Sequence, residues 1–139
     1  MKKFNLYIKK ALFTFVFLMV MIETKEIYAD DGTKVVLNVC SGQDITMELQ
    51  DAVNKYTDIV IPQGEYTCNG IKIGNVKDLV INATDAVIKL KTDAANPILY
   101  TPNGYTPENV TINGGIWDGN GNSNPVFRFY GNVNDLSLN

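Results

Sequence analysis

Three segments of the sequence, NVKDLVIN (75–82), PENVTIN (107–113) and NVNDLSLN (132–139), share one pattern. In each, two polar residues are followed by an apolar residue, any residue, a second apolar residue and a closing asparagine, and the copies are offset by 31 and 26 residues. The alternation is typical of a short β-strand with one buried face. A repeat of this length without helical periodicity predicts a solenoid of stacked β-coils.

Further short apolar segments accompany each copy of this pattern. One segment precedes every copy, and another follows each of the first two copies. Three short strands per repeat predict a parallel β-helix rather than a β-sandwich, because a sandwich would have hairpins with two-residue turns and the joins here are mostly longer. The preceding segments are residues 71–73, 98–100 and 127–129, and the following segments are residues 86–90 and 116–117.

Stacking of the coils would bury the apolar residues of the pattern. One coil cannot hide its inward side chains, whereas coils stacked about 4.8 Å apart bury one another's core. Asn82, Asn113 and Asn139 would then lie above one another at a turn. We favour a structural ladder over a functional site, because asparagine satisfies backbone groups and tolerates left-handed φ angles. The side chains expected inside are Leu79, Ile81, Val110, Ile112, Leu136 and Leu138.

The segment SGQDITMELQDAVNKY (41–56) has the helical periodicity that the repeats lack, and a short apolar segment at residues 35–39 precedes it. It predicts one amphipathic α-helix over residues 47–55, with Asp44 or Thr46 as its N-cap. Laid over the first coil, this helix would cover an apolar end and an unpaired strand edge. The apolar residues at helical spacing are Leu49, Ala52, Val53 and Tyr56.

The N-terminal stretch differs from the rest of the chain. Four lysines precede an apolar run of 12 residues (11–22), which as a helix would span about 18 Å, short of the roughly 30 Å hydrocarbon core. We expect residues 1–29 to be a signal peptide cleaved after Ala29, and residues 30–139 to be a domain that is secreted or held at the cell surface, without stable membrane insertion. The alternative, an uncleaved anchor, would need part of the polar segment ETKE (23–26) inside the bilayer.

Composition excludes several classes of function. The 139 residues contain no histidine, so there is no Ser-His-Asp or Cys-His nucleophile system, no histidine base and no imidazole metal site. We expect no metal and no cofactor. From residue 30 onward, seven Lys and Arg face thirteen Asp and Glu, a net charge of −6, so we expect no nucleic-acid partner.

The two cysteines, Cys40 and Cys68, would lie in an oxidising compartment after export. A disulfide between them would stabilise the fold by roughly 3 to 4 kcal/mol. We favour the alternative, that they remain two separate buried thiols. Their spacing fits no metal-binding motif.

The order of these features resembles the N-terminal part of the pectin-lyase-like superfamily, most closely the polygalacturonase-type glycoside hydrolases and the related pectate lyase superfamily domains. DITMELQDAV (44–53) is similar to the capping helix of that family, DIVIPQGEYT (58–67) to its first strand, and VTINGGIWDGNG (110–121) to its Val-x-Ile strand and glycine-rich turn. The resemblance covers about residues 33–139. It implies, with the repeats, an all-β fold: a right-handed parallel β-helix of about three coils, with one N-terminal capping α-helix, truncated at its C-terminal end.

The resemblance carries over no catalytic residue. In the polygalacturonase-like group the catalytic motifs Asn-x-Asp, Asp-Asp, Gly-His-Gly and Arg-x-Lys lie on later coils, and the one match here, Asp30-Asp31, precedes the helix. Asp78 and Asp135 occupy equivalent repeat positions, but the coil that carries Asn109 would separate them, and a glycosidase needs two close carboxylates.

Two functions follow as expectations. The first is an exported N-terminal fragment of a polygalacturonase-like hydrolase of cell-wall pectin-type polysaccharide, inactive by itself. If the full-length relative were a lyase, Ca²⁺ and a basic residue would replace the hydrolytic carboxylates. The second is a non-enzymatic surface or tail-spike-like module that binds polysaccharide or self-assembles through an open C-terminal coil.

Candidate sugar-binding residues lie in WDGNG (117–121). The Trp117 ring could stack on a pyranose while Asp118 and Asn120 bind its hydroxyls. We favour the alternative, a turn that needs positive φ, in which Asp118 bonds to backbone N–H groups and Trp117 packs at the edge of a coil.

Arg128 is the fourth candidate. It faces outward if Phe127 and Phe129 face inward, and beside Tyr130 it could bind a uronate carboxylate through two hydrogen bonds. We favour the alternative, an ordinary solvated strand residue.

Overall fold

The described part of the chain, residues 33–130 and 134–139 of this computed structural model, consists mostly of short strands. The expected signal peptide at residues 1–29 lies outside it. The strands are β1 (Lys34–Val36), β2 (Asp58–Val60), β3 (Gly64–Cys68), β4 (Ile71–Lys72), β5 (Val80–Asn82), β6 (Ala86–Leu90), β7 (Leu99–Thr101), β8 (Glu108–Asn113), β9 (Ile116–Asp118), β10 (Phe127–Phe129) and β11 (Asn134–Leu138).

These strands form three parallel sheets that run the length of a solenoid. Sheet A has the order β1-β2-β5-β8-β11, sheet B the order β3-β6-β9, and sheet C the order β4-β7-β10. Each strand inside a sheet therefore pairs with the strands one turn earlier and one turn later in the sequence, and each end strand pairs on one side within the described residues. The prediction of a parallel β-helix with one helix is confirmed.

The solenoid has about four turns rather than the three expected. The additional turn comes from residues 34–44, because β1 pairs with β2 in parallel and Asp44 forms a bridge with Thr67. In sheet A, Val36 lies opposite Val60, and Val60 lies opposite Asn82, the asparagine that closes the first copy of the repeat. The sequence pattern does not detect this turn, because the turn has Val36 where the repeat has its closing asparagine.

The core fills the interior of the solenoid. Leu79, Ile81, Val110 and Ile112 are between 0% and 3% exposed, as expected from the alternation. Burial of each such side chain contributes about 1.5 to 3 kcal/mol before entropic costs. Leu138, opposite Ile112 in β11, is instead 56% exposed, and the Leu136 side chain lies outside the described part.

The asparagine ladder is present on the outer face of sheet A. Asn139 Nδ2 donates to Asn113 Oδ1 at 3.0 Å, and Asn113 Nδ2 donates to Asn82 Oδ1 at 2.8 Å. Asn82 Nδ2 donates in turn to Asp58 Oδ1 at 2.9 Å. The ladder therefore spans four strands and ends on a carboxylate.

The left-handed residues lie elsewhere than expected. None of the ladder asparagines is among the non-glycine residues with positive φ. Asp78 (φ 56°) and Asn109 (φ 52°) come just before the strand triplets of the repeat, and Asn120 (φ 50°) lies in the turn after β9. Asn109 Nδ2 donates to Asp78 Oδ1 at 2.7 Å, so these positions form a second column of bonded side chains. Aspartate and asparagine suit the left-handed region because their short polar side chains bond locally.

The helix, α1 (Thr46–Lys55), begins one residue earlier than predicted and buries Leu49, Ala52 and Val53 against the core. The N-cap residue is Ile45, without a side-chain cap bond, so the predicted cap at Asp44 or Thr46 is wrong. Asp44 Oδ1 accepts a hydrogen bond from the Thr46 N–H at 3.0 Å, and Asp44 also pairs with Lys91. Burial alone would raise the pKa of Asp44, but the hydrogen bonds from Lys91 and Thr46 outweigh it and hold that pKa below its ordinary value.

Candidate functional site

The cationic side chains of the described residues fall into two groups. Five of the seven pair with a carboxylate, whereas Lys72 and Arg128 have no carboxylate within 4.0 Å in that part of the chain. Both unpaired cations lie on the outer face of sheet C. The pairs are Lys34 with Asp58 (3.5 Å), Lys55 with Asp51 (2.7 Å), Lys77 with Glu108 (4.0 Å), Lys89 with Glu65 (3.0 Å) and Lys91 with Asp44.

The register of sheet C places Lys72, Tyr100 and Arg128 in one outward row. Lys72 lies opposite Tyr100, and Tyr100 lies opposite Arg128. Successive side chains of a strand point to opposite faces of the sheet. Because their neighbours Ile71 and Leu99 are fully buried, the residues of the row face outward. Because strands in a sheet are about 4.8 Å apart, the two cations start from backbone positions roughly 10 Å apart.

Tyrosine rings flank both ends of this row, which we call the sheet C row (Lys72, Tyr100 and Arg128). Lys72 Nζ lies 5.1 Å from the centroid of the Tyr105 ring, and Arg128 Cζ lies 5.4 Å from that of Tyr130. These are cation–π distances, so each ring helps to hold a charged group that has no carboxylate partner among the described residues. No acidic residue occurs in β4, β7 or β10.

The Arg128 guanidinium is only partly engaged. Its Nη2 donates to Asn96 Oδ1 at a long 3.4 Å, and its buried Nε has no hydrogen-bond partner within the described residues. A buried donor without a partner costs about 1 to 3 kcal/mol. The Nη2 bond is long and is the one hydrogen bond that the guanidinium makes to the described residues, so its terminal N–H groups retain donor capacity for an anionic ligand.

Gln50 of α1 fixes the other end of the row. Its Oε1 accepts from the Lys72 N–H at 2.8 Å, and its Nε2 donates to the Lys72 carbonyl at 3.1 Å. The side-chain amide thus takes the place of a neighbouring strand at the edge of β4, and it holds the backbone from which the Lys72 side chain projects.

Trp117 points toward the interior rather than toward the outer face. It lies opposite the buried Ile88, its Nε1 donates to the Gly114 carbonyl at 3.0 Å, and its ring meets Phe127 edge-on at 5.4 Å. In this arrangement the indole face packs on the core.

Asp118 and Asn120 build the turn after β9. Asp118 Oδ1 accepts from the Asn120 N–H at 2.7 Å, and Asn120 has a φ of 50°. Asn120 Nδ2 donates to the carbonyl of Leu90 in the turn below at 3.0 Å. These two residues lie at the end of a sheet B strand, whereas Arg128 lies in sheet C, so the four candidates do not share one face.

Lys72, Tyr100 and Tyr105 are not recognisable as site residues from the sequence pattern alone. The sequence pattern places the second apolar segment at residues 98–100, whereas β7 begins at Leu99 and turns the half-buried Tyr100 to the outer face. The sequence signal for this row is a polar or aromatic residue in the middle of a triplet whose first residue is apolar. The triplets are Ile-Lys-Ile (71–73), Leu-Tyr-Thr (99–101) and Phe-Arg-Phe (127–129).

Both cysteines are free thiols in the structure, Cys40 exposed and Cys68 buried. Burial, and after it the negative charge of Asp44, raise the pKa of the Cys68 thiol to about 12. Cys68 is therefore a neutral core side chain at neutral pH.

No family model matches this chain, and searches of curated proteins and of solved structures find no match either. In the part of the chain that is described, no helix has the length and apolar character needed to cross a membrane. The same residues contain no group of three or more acidic or cysteine side chains placed to hold a metal ion.

Proposed function

We propose that this chain is an exported carbohydrate-binding β-helix that binds acidic polysaccharide along the sheet C row. The observation that carries the proposal is that Lys72 and Arg128, alone among the described cations, lack a carboxylate partner and lie in one row with tyrosines beside them. A guanidinium binds a carboxylate through two parallel hydrogen bonds, and a lysine binds it as a point charge.

The chemistry of the row fits a uronate polymer better than a neutral one. Carboxylates that recur along the polymer can meet the two cations, while the apolar C–H face of a sugar ring packs on a tyrosine. Residues 30–139 together, including the two cations of the row, carry a net charge of −6, so the remaining surface repels a polyanion and favours contact at this face.

The family resemblance extends this proposal. We infer that the solenoid is right-handed and of the pectin-lyase-like kind, and that the chain corresponds to the N-terminal part of a polygalacturonase-like protein acting on pectin. The Val-x-Ile strand and glycine-rich turn at residues 110–121 favour that candidate. Because the sequence has no histidine for the Gly-His-Gly motif and its one Asp-Asp pair, Asp30-Asp31, precedes the helix, we expect binding without cleavage.

Titration calorimetry with two forms of one polymer tests the proposal. We expect the chain to bind polygalacturonate, to lose affinity as salt screens the charges, and to bind the fully methyl-esterified polymer weakly. Equal affinity for the charged and the esterified polymer, or no binding to either, would overturn it. Release of reducing ends or unsaturated products would contradict the expected lack of cleavage.

A further inference from the structure

Four asparagines of this chain precede a glycine, the sequence context in which asparagine is chemically least stable. The glycine backbone nitrogen attacks the asparagine Cγ, a C–N bond forms, and ammonia leaves from the side-chain amide. Water then opens the resulting succinimide ring at either carbonyl to give aspartate or isoaspartate. Glycine permits the attack because it has no Cβ to restrict its backbone. The pairs are Asn69-Gly70, Asn103-Gly104, Asn113-Gly114 and Asn120-Gly121.

Hydrogen bonds hold two of these asparagines in place. The Asn113 side chain is bonded in the ladder, and its attacking nitrogen, that of Gly114, donates to the Asn139 carbonyl at 2.8 Å. The Asn120 amide donates to the Leu90 carbonyl at 3.0 Å. Attack would require these bonds to break, so both residues are protected while the solenoid is folded.

Asn69 is exposed, but its backbone is fixed on both sides. Its N–H donates to Thr46 Oγ1 at 2.9 Å, and a Cβ at Gly70 would lie 2.8 Å from the Asn96 side chain. The glycine nitrogen therefore belongs to a tightly packed turn that cannot swing toward the asparagine Cγ without moving its neighbours.

Asn103 meets none of these restraints. It is exposed in the turn from Pro102 to Tyr105, which is closed by a weak 3.4 Å bond from the Tyr105 N–H to the Pro102 carbonyl. Gly104 has a φ of 88°, and nothing lies within 4 Å of the position of a Cβ there. In the described part of the chain, neither the Asn103 side chain nor the Gly104 N–H has a hydrogen-bond partner.

We propose that Asn103 is the site at which the folded protein deamidates, and that this change weakens the sheet C row. The new carboxylate arises in the turn that carries Tyr105, whose ring lies 5.1 Å from Lys72 Nζ, and isoaspartate adds an atom to the backbone of that turn. The second half of the proposal rests on the proposed function, whereas the site itself does not.

Peptide mapping of aged protein tests the site. After incubation at mildly alkaline pH, we expect most of the aspartate and isoaspartate at Asn103, with most of it lost in Asn103→Gln and little changed in the matched control Asn69→Gln. In urea, where the fold no longer protects any site, the four asparagines should convert alike. Conversion spread evenly over the four sites of the folded protein, or concentrated at Asn113, would overturn the assignment.

A separate affinity measurement tests whether deamidation at Asn103 weakens binding. Ion exchange separates the deamidated form, which we expect to bind polygalacturonate more weakly than fresh protein does. Unchanged affinity of a form mapped to Asn103 would overturn the coupling while the site stands. Absence of any binding by fresh protein would be a failure of the proposed function, and it would leave the mapping result intact.

Discussion

At Asn113 a single side chain joins three turns of the solenoid. It donates to Asn82 and accepts from Asn139, so the Asn113→Ala variant leaves an amide oxygen and an amide N–H without partners on the neighbouring turns. We expect it to lower the free energy of unfolding by about 1 to 3 kcal/mol, measured by urea denaturation. The matched control is Thr111→Ala, also outward on β8, which should cost less than about 1 kcal/mol. Equal losses in the two variants would contradict a stabilising ladder.

Burial separates the two thiols of the chain. Because the pKa of Cys68 is raised to about 12, its thiolate is scarce at neutral pH, whereas Cys40 is exposed. We expect iodoacetamide to label Cys40 alone in the folded protein and both cysteines in urea, as read by peptide mapping. The neutral Cys68 contributes stability up to about pH 9, and that contribution is lost as the pH rises from there toward 12. Rapid labelling of Cys68, or no labelling because a disulfide is present, would contradict this account.

Among the elements, α1 stabilises the solenoid through Gln50 as well as through its apolar face. Gln50→Ala removes both bonds to the Lys72 backbone, so we expect a loss of about 1 to 3 kcal/mol and faster hydrogen exchange at the Lys72 amide. The control is Glu48→Ala on the exposed side of the same helix. Unchanged exchange at Lys72 in Gln50→Ala would show that the edge of β4 does not depend on this contact.

The strands differ in how well the sequence predicts them. Strands that end in the asparagine ladder are found by their repeat, since Asn82, Asn113 and Asn139 mark the same point of three turns. The first turn has Val36 instead of an asparagine at this point, so the repeat does not reveal it. Strands of sheet C have two or three residues, too few for alternation to fix which residue faces out, and so the register of Tyr100 was missed.

At the scale of the whole molecule, the sequence alone does not predict which charged side chains pair with one another. Lys89 pairs with Glu65, 24 residues earlier, and Lys91 pairs with Asp44, because the stacking of turns brings them together. The composition gives the net charge, but only the stacking reveals which cations remain unpaired. The candidate site is therefore a property of the assembled solenoid.

Coverage of the strand edges differs between the two ends of the solenoid. At the helix end, the Gly42 N–H donates to the Glu65 carbonyl at 2.7 Å and the Ile45 N–H donates to the Thr67 carbonyl at 2.9 Å, which covers the edge of β3. Gln50 covers the edge of β4. At the other end β9, β10 and β11 each pair on one side within the described residues.

Because β9, β10 and β11 have no second pairing strand within the described residues, we expect the 139-residue polypeptide to associate. Ile116 on β9 is 64% exposed, so the edge is apolar as well as unpaired. We expect light scattering to report a mass that rises with concentration, and Ile116→Lys to reduce that rise. The control is Met47→Lys, because Met47 is 81% exposed but lies on α1 at the covered end. A monomer at all concentrations would contradict the prediction.

The central claim is that the sheet C row binds acidic polysaccharide. The most direct test is the calorimetric affinity for polygalacturonate of Lys72→Gln/Arg128→Gln beside that of Lys34→Gln/Lys89→Gln, which removes the same charge from the outer faces of sheets A and B. We expect the row variant to bind at least about tenfold more weakly, since each charge-assisted contact contributes about 1.5 to 3 kcal/mol, and the control to stay within about threefold of the parent chain. Equal weakening of both variants, or parental affinity in the row variant, would contradict the claim.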